Sequence, residues 1–170
     1  MENIETVSFD LIHKIRLHIN RAEKQIHLLA DRKVWDKLTS SLYVLEDTSH
    51  AIEYYLESEY PSDVRGKYLY TYGLLQALYV QGDAIRSLSV ALFNKKITFH
   101  TDYPRAHAVR EIRDDVTGHP TQRGPDSYIY LAQYSLGKDF FRYSKDNSFT
   151  AMRDTINVYV YAAISEMATC

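Results

Sequence analysis

The chain has 170 residues, 45% hydrophobic and 25% charged, with a formal net charge of −2 and a pI near 6.4. That composition excludes a disordered chain and a general polycation, so any RNA contact must be local, on one face that gathers basic residues. A single cysteine, Cys170, excludes a disulfide framework and fits a reducing compartment.

The first residues lack the basic and apolar regions of a signal peptide, and the longest apolar run, residues 158–164, is too short for a membrane span. A soluble cytoplasmic protein without membrane association is the expectation. The length suits one domain, or one domain with an appendage. Fifteen tyrosines are many for this length. They can fill half-buried helix seams and dimer contacts or stack on bases, and their spread along the chain favours the first use.

In chain order, residues 8–30 place Ile12, Ile15, Ile19, Ala22, Ile26 and Leu29 at alternating steps of three and four, which predicts one long helix. His13, His18 and His27 lie off that seam and are not read as ligands. A second helix is predicted over 34–55 or slightly beyond, on Trp35, Leu38, Leu42, Leu45, Ile52 and Leu56, with Ser49 the one polar entry. The short Asp31-Arg32-Lys33 connection makes these two an antiparallel hairpin. Tyr60-Pro61-Ser62-Asp63 is a break in which Ser62 or Asp63 can cap a third helix running to about Phe93. Within it Gly82 marks a close helix crossing, and Asp83 reads as a solvated position, with reach to the arginine site as the alternative.

Residues 94–103 read as irregular, and Pro104 as the first residue of a fourth helix. There Val109, Ile112 and Val116 form the buried stripe, while Ala106, Arg110, Arg113 and Thr117 form a neighbouring line. Gly118 suits a left-handed helix end, and Pro120 cannot continue a helix. His100 and His107 lack the carboxylates of a metal site and read as surface residues. Beyond Pro125, residues 127–136 and 139–144 predict a β-hairpin turning at Gly137-Lys138, with a helix through Tyr128–Tyr134 as the competing reading. Ser148 can cap a last helix along Met152, Ile156, Tyr159 and Ala163. The expected architecture is therefore mainly all-α: an antiparallel bundle over 1–126, with a small hairpin and final helix over 127–170 attached to the same domain.

The chemistry concentrates in residues 110–123, R-E-I-R-D-D-V-T-G-H-P-T-Q-R. Residues six apart on a continuous helix sit about 240° round the axis, so Arg113 and His119 converge only if the helix stops between them. Arg, then an acidic residue, then His after a short gap at the end of a helix resembles the signature of the HEPN superfamily (higher eukaryotes and prokaryotes nucleotide-binding domain). The resemblance covers about residues 8–119. It implies a HEPN-like bundle and a metal-independent endoribonuclease acting as a homodimer, of the kind used in toxin, antiphage or RNA-processing systems. A neutralising antitoxin or effector-system protein is then an expected partner.

Metal-free RNA cleavage needs a base for the 2′-hydroxyl, a cation for the phosphate oxygens and an acid for the leaving 5′-oxygen. His119 can move protons near neutral pH. Arg113 carries a permanent charge on a planar fork suited to phosphate. Asp114 would orient either of them, and Arg110, Thr117 and Arg123 are the expected substrate contacts. One histidine cannot easily act on both sides of the phosphorus, so a two-fold dimer supplies the second. No CxxC, HExxH or phosphate-binding glycine loop is present, and neither a metal nor a cofactor is expected. Two acids, Asp114 and Asp115, stand beside the proposed phosphate site and oppose RNA attraction. The alternative is a non-catalytic helical module of the same fold, acting in dimerisation or partner binding.

Overall fold

A computed structural model describes residues 9–118, 127–147 and 153–159. Its helices are α1 (Phe9–Ile19), α2 (Ala22–Leu29), α3 (Arg32–Glu57), α4 (Val64–Phe93), α5 (Phe99–Asp102) and α6 (Pro104–Arg113), and α6 runs into a π-turn, Asp114–Gly118. Strands β1 (Ser127–Leu131), β2 (Phe140–Asn147) and β3 (Arg153–Tyr159) complete the described chain. The protein is mainly α-helical, with a small antiparallel sheet towards its C-terminus. No helix among the described residues is long and apolar enough to cross a membrane.

The long helices start and stop where the local chemistry directs. Asp31 caps α3 by accepting the backbone N–H groups of Lys33 and Val34. Asp63 does the same for α4 with Arg65 and Gly66. A Cβ on Gly66 would lie 2.6 Å from Pro61 Cβ, so glycine lets the turn close against the new helix. At the other end of α4, Asn94 takes the left-handed conformation, φ 50°, that stops the helix.

Contacts between α3 and α4 run antiparallel, with Tyr55 against Tyr70 near the connecting loop and Ser49 against Gln81 farther along. Leu38, Leu42, Leu45 and Ile52, the predicted seam of α3, are all buried. Ser49 is fully buried as well. Its hydroxyl donates to Leu45 O at 2.7 Å and accepts from Gln81 Nε2 at 3.4 Å, which satisfies two polar groups inside the helix pair.

The core divides in two. A smaller cluster joins Ile12 and Ile19 of α1 to Leu38, Leu42 and Leu45 of α3 and Ala84 of α4. A larger one joins Ile52, Leu75 and Leu78 to Phe99, Val109 and Val116, and reaches Ile129, Phe141 and Tyr143 of the sheet. Helices and sheet thus share one hydrophobic cluster.

Three expectations are corrected. The single helix predicted over 8–30 is two, because Arg21 is extended (φ −65°, ψ 133°) and Asn20 before it is a weak helix former. The break turns Ile26 and Leu29 outward, leaving them 71% and 49% exposed. The hairpin forms, but its strands are not joined by two residues at Gly137-Lys138. A 3₁₀ turn, Gln133–Ser135, intervenes, and β1 and β2 pair from Ser127↔Asn147 to Leu131↔Tyr143. Ser135 Oγ donates to Ala132 O and accepts from Arg142 N, both at 2.8 Å, standing in for a missing strand partner. The longer loop lets Lys138 reach α3, which a tight turn would prevent: its Nζ donates to Leu56 O and Ser58 O at 2.7 and 2.8 Å.

The third correction concerns the last helix. Residues Arg153–Tyr159 form β3, antiparallel to β2 from Phe140↔Tyr159 to Asp146↔Arg153. Pairing with the open edge of β2, by a segment rich in β-branched Thr155, Ile156 and Val158, outweighs a helical spacing carried by four residues. The rest of that predicted helix, with Ala163, lies outside the described residues, as does Ser148.

At the α3–α4 loop four tyrosines gather. Tyr55, Tyr60 and Tyr70 have ring centroids 5.9 to 6.4 Å apart, and Tyr54 lies 6.2 Å from Tyr70. Tyr55 Oη donates to Lys138 O at 2.9 Å. The neighbouring Ser58 and Tyr54 side chains, with the Lys138 ammonium, hold the Tyr70 phenol below its usual pKa, and burial pushes Tyr60 up. Tyr55 is an interior residue and Tyr60 and Tyr70 are half-buried seam residues, while Tyr54 lies exposed at their edge.

Candidate functional site

Helix α6 begins at Pro104, whose fixed φ suits a first turn. Ala106, Val109 and Val116 are buried and Ile112 is half-buried, which fixes the rotation of the helix and directs Arg110 and Arg113 across the side of α4. Both arginines meet Tyr79. The guanidinium carbon of Arg110 lies 4.1 Å from the centre of the Tyr79 ring and that of Arg113 4.2 Å, a cation–π pair sharing one ring.

Their remaining partners differ. Arg110, with its side chain 12% exposed, forms a 2.9 Å ion pair with Asp83 and donates to Tyr79 O at 3.2 Å. It also lies 5.2 Å from the Phe99 ring. Arg113 donates from Nε and Nη2 to the same atom, Gln76 Oε1, at 3.0 and 2.8 Å. Its Nη1 donates to Asp114 Oδ1 at 2.9 Å. Thr117 donates its hydroxyl to Arg113 O at 2.8 Å and so serves the helix end itself.

The π-turn changes how the helix ends. Gly118 closes a wide turn without the left-handed φ expected of it, because i→i+5 bonding carries the chain one residue further round. A Cβ there would sit 3.0 Å from Arg113 Nη1, so the glycine gives room to the guanidinium. The same turn separates the two acids. Asp114 stays at the surface with Arg113, while Asp115 is 3% exposed and faces Lys145 Nζ of β2 at 3.3 Å. The second carboxylate is therefore met by a cation from the sheet.

Of the expected site residues, Arg110, Arg113, Asp114 and Thr117 come together around this helix end, and His119 and Arg123 lie outside the described residues. Gln76 and Tyr79 were not foreseen, and Asp83 takes the alternative of its two expected roles, paired with Arg110 in place of solvent. Their signal is present in the sequence as polar or amphipathic positions at i, i+3 and i+7 along one side of α4. His100 and His107 stack edge to face at 5.2 Å, and His107 lies 3.9 Å from Glu111. Among the described residues no group of three or more His, Cys, Asp or Glu side chains is placed to hold a metal ion.

The fold and site define a mainly α-helical protein with an arginine–tyrosine cluster at one helix end. Comparisons with protein-family models, curated proteins and solved structures found no match to this chain.

Proposed function

We propose that the chain is a metal-independent endoribonuclease of the HEPN type, acting as a homodimer in the cytoplasm with Arg113 and His119 from each copy in a composite site. The observation that carries this reading is the setting of Arg113. It stands at a helix end, one face on Tyr79 and one edge on Asp114, with its Nε/Nη2 edge turned to a neutral side chain. A fixed fork of this kind suits the non-bridging oxygens of a phosphodiester. The withdrawal of Asp115 to Lys145 removes one of the two charges that opposed RNA.

In this reading the 2′-oxygen attacks phosphorus as His119 of one copy takes its proton. The bond from phosphorus to the 5′-oxygen breaks, and the second copy's imidazolium returns a proton to that oxygen. The products are a 2′,3′-cyclic phosphate and a 5′-hydroxyl. Arg113 stabilises charge on the phosphorane, Asp114 orients Arg113, and Arg110 fixes Tyr79 beneath it. Toxin or antiphage use, with an antitoxin as partner, belongs to the same proposal.

A second reading has its own support. Arg110 is satisfied by internal partners and Arg113 already has acceptors, as in a helical module that binds partners without catalysis.

The deciding assay is single-stranded RNA with wild type, Arg113→Ala and His119→Ala, with and without EDTA. Each substitution should lower cleavage by about 10²-fold or more, while EDTA leaves it unchanged. Substrate with 2′-deoxy at the scissile position should be inert, and light scattering should show a dimer. Activity surviving in His119→Ala would falsify the mechanism. No cleavage of any RNA would favour the binding module, and a strict monomer would count against the ribonuclease.

A further inference from the structure

We propose that Gln76 is a displaceable latch on the phosphate-binding edge of Arg113, so that single-stranded RNA enters by exchanging an amide oxygen for a phosphate oxygen. The inference rests on the ribonuclease reading and adds how that site is kept closed and opened. A guanidinium grips an oxyanion best through two parallel N–H groups. On Arg113, Nη1 is committed to Asp114 at 2.9 Å. The Nε/Nη2 pair converges on one atom, Gln76 Oε1, at 3.0 and 2.8 Å. Gln76 Oε1 thus occupies the position in which a phosphate oxygen would be held.

Three features make this occupant removable. Gln76 is exposed on α4, so its side chain can swing into solvent without opening the core. Its carboxamide carries no charge, whereas a phosphodiester oxygen adds an ionic attraction to the same two bonds. The guanidinium need not move, because Tyr79 at 4.2 Å and Asp114 hold it from its face and its other edge. Arg110 offers the contrast. Its partners are the Asp83 carboxylate and a backbone carbonyl, and drawing it out would strip a charge that is 12% exposed of its counter-ion. Arg113 is therefore the arginine that RNA reaches, and Gln76 is the positioning residue that holds its edge in the free protein.

The test measures binding by fluorescence anisotropy, using a 2′-O-methyl RNA oligonucleotide of randomised sequence that cannot be cleaved. Wild type is compared with Gln76→Glu, Gln76→Ala and Arg113→Ala across a salt series, with melting temperatures as the check on folding. Gln76→Glu puts a carboxylate on the same edge. It should weaken binding by about three- to tenfold and flatten the salt dependence by about one phosphate contact, without lowering the melting temperature. Gln76→Ala should bind within about twofold of wild type or tighter, because the edge is already free.

Wild-type affinity in Gln76→Glu, with Arg113→Ala weakened, overturns the latch alone. A loss of about tenfold in Gln76→Ala does the same, since Gln76 would then be needed to bind. Equal binding by Arg113→Ala also overturns the latch alone, because an arginine that acts only on the phosphorane need not hold the ground state. No binding by wild type overturns the ribonuclease reading and the latch with it.

Discussion

Lys138 and Arg113 are both cations set among tyrosines, in two regions of the same bundle. At the α3–α4 loop, the Lys138 ammonium donates to the carbonyls of Leu56 and Ser58, the last acceptors of α3, beneath Tyr55 and Tyr70. Along the side of α4, the Arg113 guanidinium lies on Tyr79 and meets a side-chain amide and an adjacent carboxylate. Backbone carbonyls at a helix end cannot move aside, and losing their donor leaves them unpaired. A surface amide can rotate away at little cost. What neutralises a cation, more than how buried it is, separates a charge that holds the fold from one available to a ligand.

Replacing each cation by a chain of similar length tests this contrast most strongly. Lys138→Met should cost about 1–3 kcal/mol in urea unfolding, because two carbonyls lose their donor. Arg113→Met should cost less than about 1 kcal/mol, since its acceptors remain open to water. Equal losses from the two would erase the distinction.

A smaller effect belongs to the cap at the same loop. The Gly66 N–H bond holds the Asp63 carboxyl below its usual pKa, with the Arg65 N–H and charge adding to this and desolvation opposing it. A depressed folded pKa stabilises above the unfolded value and the contribution disappears as pH falls through the folded value. Melting temperatures of wild type and Asp63→Asn should therefore differ most near neutrality and converge as pH falls from about 5 to about 2. A constant difference over that range would show that the cap does not depend on the carboxylate charge.

The parts of the fold that could be read from sequence are those whose pattern has one physical meaning. Asp63 before α4 and Pro104 at the start of α6 are local signals that tertiary contacts do not overrule. Leu38, Leu42, Leu45 and Ile52 are buried because their stripe meets partners on both sides. Ile26 and Leu29 continued a seam just as regular, yet periodicity records an apolar face and not whether anything covers it. Ile156 and Tyr159 match a helix by spacing, and the open edge of β2 that recruits Arg153–Tyr159 is a long-range fact. At the site, Arg110 and Arg113 on one line of α6 follow from spacing. That Tyr79 receives both, and that Asp115 turns inward while Asp114 does not, depends on the π-turn and on β2.

The break after Ile19 bears on how the molecule opens. Helix α2 has eight residues and none of them buried, well below the length at which a helix persists in water unaided. Together with α1 and the end of α4 it lines an open pocket of about 550 Å³, with Ile15, Leu28 and Phe93 among its lining. Few apolar contacts therefore oppose its detachment, whereas α3 and α4 are tied through both core clusters. Native-state hydrogen exchange should divide the bundle accordingly, with α2 amides exchanging through a local opening of low free energy and the Leu74–Leu78 turn of α4 only on global unfolding. Helix α2 and the rest of the bundle would then be separate cooperative units, and α2 would leave its neighbours long before the arginine cluster comes apart.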